Sequence, residues 1–143
     1  MLTFLNLEAE GFCSIESLHL QLNPTCTILI KAPNGKGKST ILSSLVWAIY
    51  GKNLKGVSEV NTWKQVRPKD YKGTRVQVYF QKDSHTYKII RCQKYEGVLD
   101  DGAKGKDRLI FMKDGDIVDI KGKGKIQDFI NREIGLSLSL IHI

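Results

Sequence analysis

Hydrophobic and polar residues alternate near the start of the chain, and a period of two predicts β-strands. The alternation is partial over Leu2–Glu10, which ends at Gly11-Phe12, and clean over Leu18–Leu22. A turn at Asn23-Pro24 follows, and then a short apolar segment, Thr27–Ile30. The pattern therefore predicts two strands and a third strand that follows them directly.

Dense apolar sequence predicts two helices. The segment Ile41–Tyr50 is apolar on most positions, so we expect a helix buried on most of its surface, with Trp47 in the core and Gly51 as its left-handed stop. Near the end, Gly135 closes a second pattern with apolar residues at i, i+3, i+4 and i+8, typical of one helix face. Those residues are Ile126, Phe129, Ile130 and Ile134.

Between the two helices the pattern predicts two β-hairpins. They join Arg75–Phe80 to Thr86–Arg91, and Arg108–Met112 to Asp116–Ile120, through turns at Lys82–His85 and Lys113–Gly115. We expect the intervening Gly97–Lys106 to be a loop, and its Asp100-Asp101 pair to be a solvated turn rather than a metal site.

Composition places the chain among ordinary globular proteins. It has 143 residues, 41% hydrophobic and 26% charged, which suits one domain. No apolar run is long enough to cross a bilayer, and the amino-terminal residues lack the features of a signal peptide. Cys13, Cys26 and Cys92 are scattered, so the sequence indicates neither a zinc site nor a disulfide framework, and a reducing cytosol is expected.

The net charge of +7 is compatible with a polyanionic partner such as DNA. Six of the 22 Lys and Arg residues fall in Lys52–Lys72, interleaved with the aromatic residues Trp63 and Tyr71. This segment could contact nucleic acid. We favour the alternative interpretation, a long mobile loop with a small cluster around Trp63.

A glycine-rich stretch between the third strand and the first helix carries the clearest chemical signal. Residues 32–40 read Ala-Pro-Asn-Gly-Lys-Gly-Lys-Ser-Thr and match the phosphate-binding motif GxxxxGK[ST], with Ala32 in place of the first glycine. The other Gly-Lys pairs of the chain lack a preceding apolar strand and a following apolar helix. Strand, glycine-rich turn and helix is the arrangement that this motif requires.

The residue types of the motif suit ATP with Mg²⁺. Gly35 and Gly37 allow successive backbone N–H groups to point at one anion, next to the positive end of the following helix. Lys38 can reach the β- and γ-phosphates, the Ser39 hydroxyl can bind Mg²⁺, and Thr40 can reach the α-phosphate. The predicted binding residues are Asn34, Gly35, Lys36, Gly37, Lys38, Ser39 and Thr40.

These segments, in this order, resemble a known family. The chain combines a strand ending in Glu10–Ser14, the phosphate loop, a helix ending in Tyr50–Lys52, two hairpins and a closing Ile134–Ser137. It is similar to the amino-terminal ATPase lobe of SbcC-type double-strand-break repair ATPases, which are relatives of the SMC proteins. Within that family it looks most like the ATPase subunits of bacteriophage recombination endonucleases.

The resemblance implies an α/β fold: an incomplete P-loop NTPase lobe of the ABC/SMC type with an antiparallel β-subdomain. The lobe would span residues 1–137, and residues 138–143 would be a tail that need not be native. In such a protein ATP and Mg²⁺ bind between two head-to-head lobes. The implied partners are a second ATPase lobe, an SbcD-type nuclease subunit and double-stranded DNA, in the cytoplasm of a bacterium or a phage-infected host and away from membranes.

Two departures from the family pattern shape the functional expectation. Cys13 stands where many members carry a basic residue near the phosphates. The chain also has no Gln after Ile134–Ser137 and no Walker B carboxylates, so we interpret it as an amino-terminal fragment that binds ATP without efficient turnover. The alternatives are a non-catalytic basic module that binds nucleic acid, and a fragment of a transporter-type ATPase.

Overall fold

An antiparallel β-sheet forms the centre of the computed structural model, which describes residues 2–13, 15–21, 36–52, 59–62, 64–118 and 123–134. The strands and helices of the described residues follow in chain order. They are β1 (Leu2–Phe12), β2 (Ile15–Gln21), α1 (Lys36–Tyr50), a 3-10 turn (Lys64–Val66), β3 (Thr74–Lys82), β4 (His85–Gln93), β5 (Tyr95–Val98), β6 (Lys104–Lys106), β7 (Leu109–Lys113), β8 (Asp116–Ile117) and α2 (Lys123–Ile134).

The main sheet has six strands in the order β2-β1-β3-β4-β7-β8, and every neighbouring pair is antiparallel. Both predicted hairpins are confirmed, with the last strand described over Asp116–Ile117, while residues 119–120 of the predicted strand lie outside the described residues. Their turns place Asp83 and Ser84, and then Asp114 and Gly115, at positive φ, the geometry of tight two-residue hairpin turns. The segment Thr27–Ile30, which the sequence predicts as a further strand, lies outside the described residues.

One face of the sheet packs against the two helices. The register places Val78 of β3 opposite Leu7 of β1 and Ile89 of β4, so buried side chains from neighbouring strands lie side by side. The helices α1 and α2 cover this face, as their apolar patterns predict. This core holds α1 in a fixed position against β1, β3 and β4.

A small second sheet covers part of the opposite face. Strands β5 and β6 pair with each other, so the prediction of a loop over Gly97–Lys106 is wrong at both ends, and only the residues from Leu99 to Ala103 lie outside strands. Tyr95, Cys92 and Leu99 form a separate buried cluster with Ile90 beneath these strands. The strands are short and rich in glycine and lysine, and packing around Tyr95 overrides their weak intrinsic β-propensity.

Candidate nucleotide site at the start of the first helix

The phosphate motif coincides with the beginning of α1. The helix starts at Lys36, so the predicted residues Lys36–Thr40 form its first turn, while Asn34 and Gly35 lie outside the described residues. The first N–H groups of a helix have no acceptor within the helix and carry the positive end of its dipole. The motif therefore coincides with a set of backbone donors that suits a phosphate group.

The residue types in the first turn of α1 also suit a bound anion. The turn contains no acidic residue, so no carboxylate of its own competes with a bound anion. The side chains of Lys38 and Ser39 lie outside the described part of the structure, and their assignment to phosphate and Mg²⁺ stays a prediction. A hydroxyl oxygen together with polyphosphate oxygens is nevertheless a set of ligands that suits Mg²⁺.

The middle of α1 fixes the helix to the sheet. Val46, Ala48 and Ile49 are buried, and the Trp47 ring lies 5.7 Å from that of Phe12, centroid to centroid. The prediction that Trp47 belongs to the core is confirmed. A ligand at the start of α1 therefore meets a helix that is already held by its own packing, which reduces the cost of ordering on binding.

The far end of α1 stops as the sequence predicts, and it also has contacts that the sequence does not reveal. Gly51 has φ of +79° and donates its N–H to the Trp47 carbonyl at 2.7 Å, a typical left-handed helix stop. Arg91 of β4 reaches the same end and donates to the Ala48 carbonyl at 3.0 Å. Burial lowers the pKa of Arg91 to about 10, so the group remains cationic at neutral pH.

The backbone at Gly11, near the end of β1, is held by a buried polar network. Thr74 donates its hydroxyl to the Gly11 carbonyl at 2.7 Å, and the Asn61 amide donates to Thr74 at 2.9 Å and to the Gln93 carbonyl at 3.0 Å. The Tyr71 hydroxyl accepts from the Thr62 N–H at 3.0 Å. The network ties the described part of the polar segment Lys52–Lys72 to the sheet.

This network changes the interpretation of that segment. Asn61 forms an isolated β-bridge with Phe12, and the Tyr71 hydroxyl donates to the Gly11 carbonyl at 3.4 Å, so these two residues tie the segment to the end of β1. Residues 53–58 and Trp63 lie outside the described residues. Tyr71 places its hydroxyl in the network, and the Arg67 guanidinium lies over its ring at 4.7 Å. Tyr71 is therefore occupied by intramolecular contacts.

Cys13 lies beside this network, at the position where the resemblance leads one to expect a basic residue. Its N–H donates to the Val60 carbonyl at 2.8 Å. Burial raises the pKa of the Cys13 thiol, and the nearby Glu59 carboxylate raises it further. The thiol is therefore neutral near pH 7 and adds no positive charge.

The acidic pair Asp100-Asp101 forms an exposed turn, as expected. Asp101 accepts two hydrogen bonds from Arg108, at 2.6 and 3.2 Å. These bonds, with one from the Ala103 N–H, lower the pKa of Asp101 to about 2. Among the described residues, no group of three or more His, Cys, Asp or Glu side chains is arranged to hold a metal ion.

Comparison with known proteins identifies a family. A family model described as an AAA domain matches residues 6–142. The search of curated proteins found no match to this chain. Within the described residues, no helix is both long and apolar enough to cross a membrane.

Solved structures show the same fold. The recombination mediator protein RecF bound to ATP superposes with a TM-score of 0.57 at 20% identity, over 87% of this chain and 30% of the RecF chain. A structure from work on ATP-driven dimerization and DNA-stimulated activation of SMC ATPases superposes with a TM-score of 0.57 at 20% identity, over 99% of this chain and 86% of that chain. The chain thus has the fold of RecF and SMC ATPase lobes, as the sequence predicts, and spans about 30% of the length of RecF.

Proposed function

The chain belongs to the AAA domain family, and from this premise we propose that it is the nucleotide-binding lobe of an SMC- or RecF-type ATPase that works on DNA. The observation that carries the proposal is the coincidence of the Asn34–Thr40 motif with the start of α1, at Lys36. A helix start whose first N–H groups lack acceptors within the helix, and whose first turn has no acidic side chain, favours a polyphosphate.

Each part of the motif has a role in this proposal. The backbone of the first turn binds phosphate oxygens, Lys38 neutralises charge on the β- and γ-phosphates, and Ser39 holds Mg²⁺. When bound, Mg²⁺ would neutralise charge that develops on the phosphate oxygens. These residues bind and orient the nucleotide, while activation of a water molecule needs a further base.

We assign that further base to a second ATPase lobe that meets this one head to head, as the resemblance implies. The full assembly would hydrolyse ATP and engage double-stranded DNA ends with an SbcD-type nuclease subunit, in the cytoplasm of a bacterium or a phage-infected cell. The RecF structure contains ATP, and the SMC work concerns ATP-driven dimerization and DNA-stimulated activation. Both solved structures support an SMC- or RecF-type ATPase over a transporter-type ATPase.

Calorimetry with a pair of lysine variants tests the proposal. Lys38→Ala removes the phosphate lysine, and Lys52→Ala removes an exposed lysine just beyond the other end of the same helix. We expect the wild-type chain and Lys52→Ala to bind ATP·Mg with equal affinity, and folded Lys38→Ala to show no measurable binding. Equal affinity in all three proteins would contradict the proposed site.

The same proteins distinguish the rival function, a basic module that binds nucleic acid without nucleotide. The rival draws support from the net charge of +7. It predicts DNA affinity that is the same with and without ATP·Mg and in Lys38→Ala. The proposed function predicts that ATP·Mg alters DNA affinity in the wild-type assembly and leaves it unchanged in Lys38→Ala.

A further inference from the structure

Arg91 is a buried cation that contacts the end of the phosphate-loop helix. Its side chain comes from β4, and the residue is 7% exposed. Its Nε donates to the Ala48 carbonyl at 3.0 Å and its Nη2 to the Ile49 carbonyl at 3.4 Å. The last carbonyls of a helix lack donors within the helix and form the negative end of its dipole, so a cationic donor stabilises them.

Gln127 joins the second helix to the same point. Its Nε2 donates to the Ile49 carbonyl at 2.8 Å, and its Oε1 accepts from Arg91 Nη2. The same Nε2 donates to Asn131 Oδ1 at 3.0 Å, one turn further along α2. One carbonyl of α1 is therefore shared by a side chain from β4 and a side chain from α2.

This arrangement connects the position of α2 to the position of α1. The last turn of α1 has no basic residue of its own, so the cation at its end comes from another part of the fold. A helix of 15 residues spans roughly 22 Å and moves as a rigid rod, so a displacement at its end also displaces its start. The start of this helix is the phosphate motif.

We propose that Arg91 and Gln127 are positioning residues for the nucleotide site, which set the placement of the first turn of α1 through the far end of the same helix. The inference rests on the proposed function, because it requires ATP·Mg to bind at the first turn of α1. It adds to that function a means by which α2, and any partner that contacts α2, can alter nucleotide affinity.

Two variants and a matched control test the inference in the full chain. Gln127→Ala removes the bridge from α2 and leaves the bonds from Arg91 to Ala48 and Ile49. Arg91→Lys keeps a positive charge but cannot reproduce the planar set of donors. The control, Tyr87→Phe, removes a hydroxyl that donates to Glu133 at 2.9 Å, a contact between α2 and the sheet that does not include α1.

We expect both variants to bind ATP·Mg about three- to tenfold more weakly than wild type at a temperature where all proteins are folded, a range consistent with coupling through packed elements. Tyr87→Phe should lower the unfolding midpoint and leave ATP affinity unchanged. Unchanged affinity in Gln127→Ala, with a loss of stability like that of Tyr87→Phe, would overturn the inference. If Arg91→Lys does not fold, Gln127→Ala decides the question.

Tryptophan fluorescence supplies a readout that a purely structural role would not move. In a Trp63→Phe background Trp47 is the remaining tryptophan, and the Arg91 guanidinium carbon lies 6.0 Å from its ring centroid. We expect ATP·Mg to change Trp47 emission in this background and to change it much less after Gln127→Ala. The same change in Trp47 emission in both proteins would contradict the inference. A wild-type chain that binds no ATP would instead overturn the proposed function itself.

Discussion

Several polar side chains among the described residues satisfy backbone groups at the ends of strands and helices. Arg91 and Gln127 donate to carbonyls at the end of α1. Thr74 donates to the Gly11 carbonyl near the end of β1, and Asn61 donates to the Gln93 carbonyl at the end of β4. Within the described residues, Asn61 Oδ1 and Thr62 Oγ1 are buried side-chain atoms with no hydrogen-bond partner. Such atoms cost about 1–3 kcal/mol each unless water or another donor reaches them.

Tyr87 gives stability a specific dependence on pH. Burial, the hydrogen bond to Glu133 and the charges of nearby carboxylates raise the pKa of Tyr87 from 10.0 to about 12. From pH 10 upwards the unfolded chain loses this proton while the folded chain keeps it, so stability falls as the pH rises towards 12. We expect the unfolding free energy, measured with denaturant, to fall less between pH 10 and pH 12 in Tyr87→Phe than in wild type. The same dependence of unfolding free energy on pH in both proteins would show that folding does not raise the pKa of the Tyr87 hydroxyl.

Gly11 allows two backbone segments to meet at the end of β1. It has φ of +62°, and a Cβ at this position would lie 2.0 Å from the Gly73 carbonyl oxygen. Gly102 has φ of +83° and open space around it, so it shares the backbone conformation without the collision. We expect Gly102→Ala to cost about 1 kcal/mol in unfolding free energy and Gly11→Ala several times more. Equal losses in thermal unfolding would contradict this account.

At the level of elements, the sequence predicts those helices and strands whose formation depends on local sequence patterns. Both helices and both main hairpins follow from periodicity and turn residues such as Gly51 and Gly115. Packing against Tyr95 stabilises β5 and β6, and no local pattern shows that contact. Likewise Arg91 contacts Ala48, 43 positions earlier in the chain, so its role emerges only when β4 and α1 are placed together.

The two hairpin turns are joined to each other as well as closed internally. His85 and Asp114 lie 2.7 Å apart, Nδ1 to Oδ2, and the Thr86 N–H donates to Asp114 at 3.0 Å. These contacts link the β3–β4 turn to the β7–β8 turn across the sheet. The partner of His85 is 29 positions away in the chain, so no local sequence pattern reveals this contact.

Packing of α2 on the sheet depends on its buried face. Ile130 is fully buried, whereas Ile117 in β8 is 62% exposed. Truncation of a buried isoleucine removes packing and leaves a cavity, so we expect Ile130→Ala to lower the unfolding free energy by about 2–5 kcal/mol. The matched variant Ile117→Ala should change it by less than about 0.5 kcal/mol, as surface substitutions usually do. Similar losses in chemical denaturation would show that α2 does not pack as described.

At the scale of the whole molecule, the proposed function divides the task of an ATPase between two lobes. Under this proposal the present chain would supply phosphate donors at the start of α1, backed by the sheet against which that helix packs. We expect the purified chain to hydrolyse ATP negligibly and to gain turnover when the second lobe is added, because the attacking water then meets a positioned base. Rapid hydrolysis by the chain alone, lost in Lys38→Ala, would contradict this division.

The central claim is that ATP·Mg binds at the first turn of α1, and amide NMR tests it most directly. Titration of the isotopically labelled chain should shift the backbone amide signals of Asn34–Thr40 first and most strongly. The same titration of folded Lys38→Ala should leave those signals in place. Shifts confined to other surfaces, such as the basic segment Lys64–Lys72, with none in Asn34–Thr40, would contradict the account.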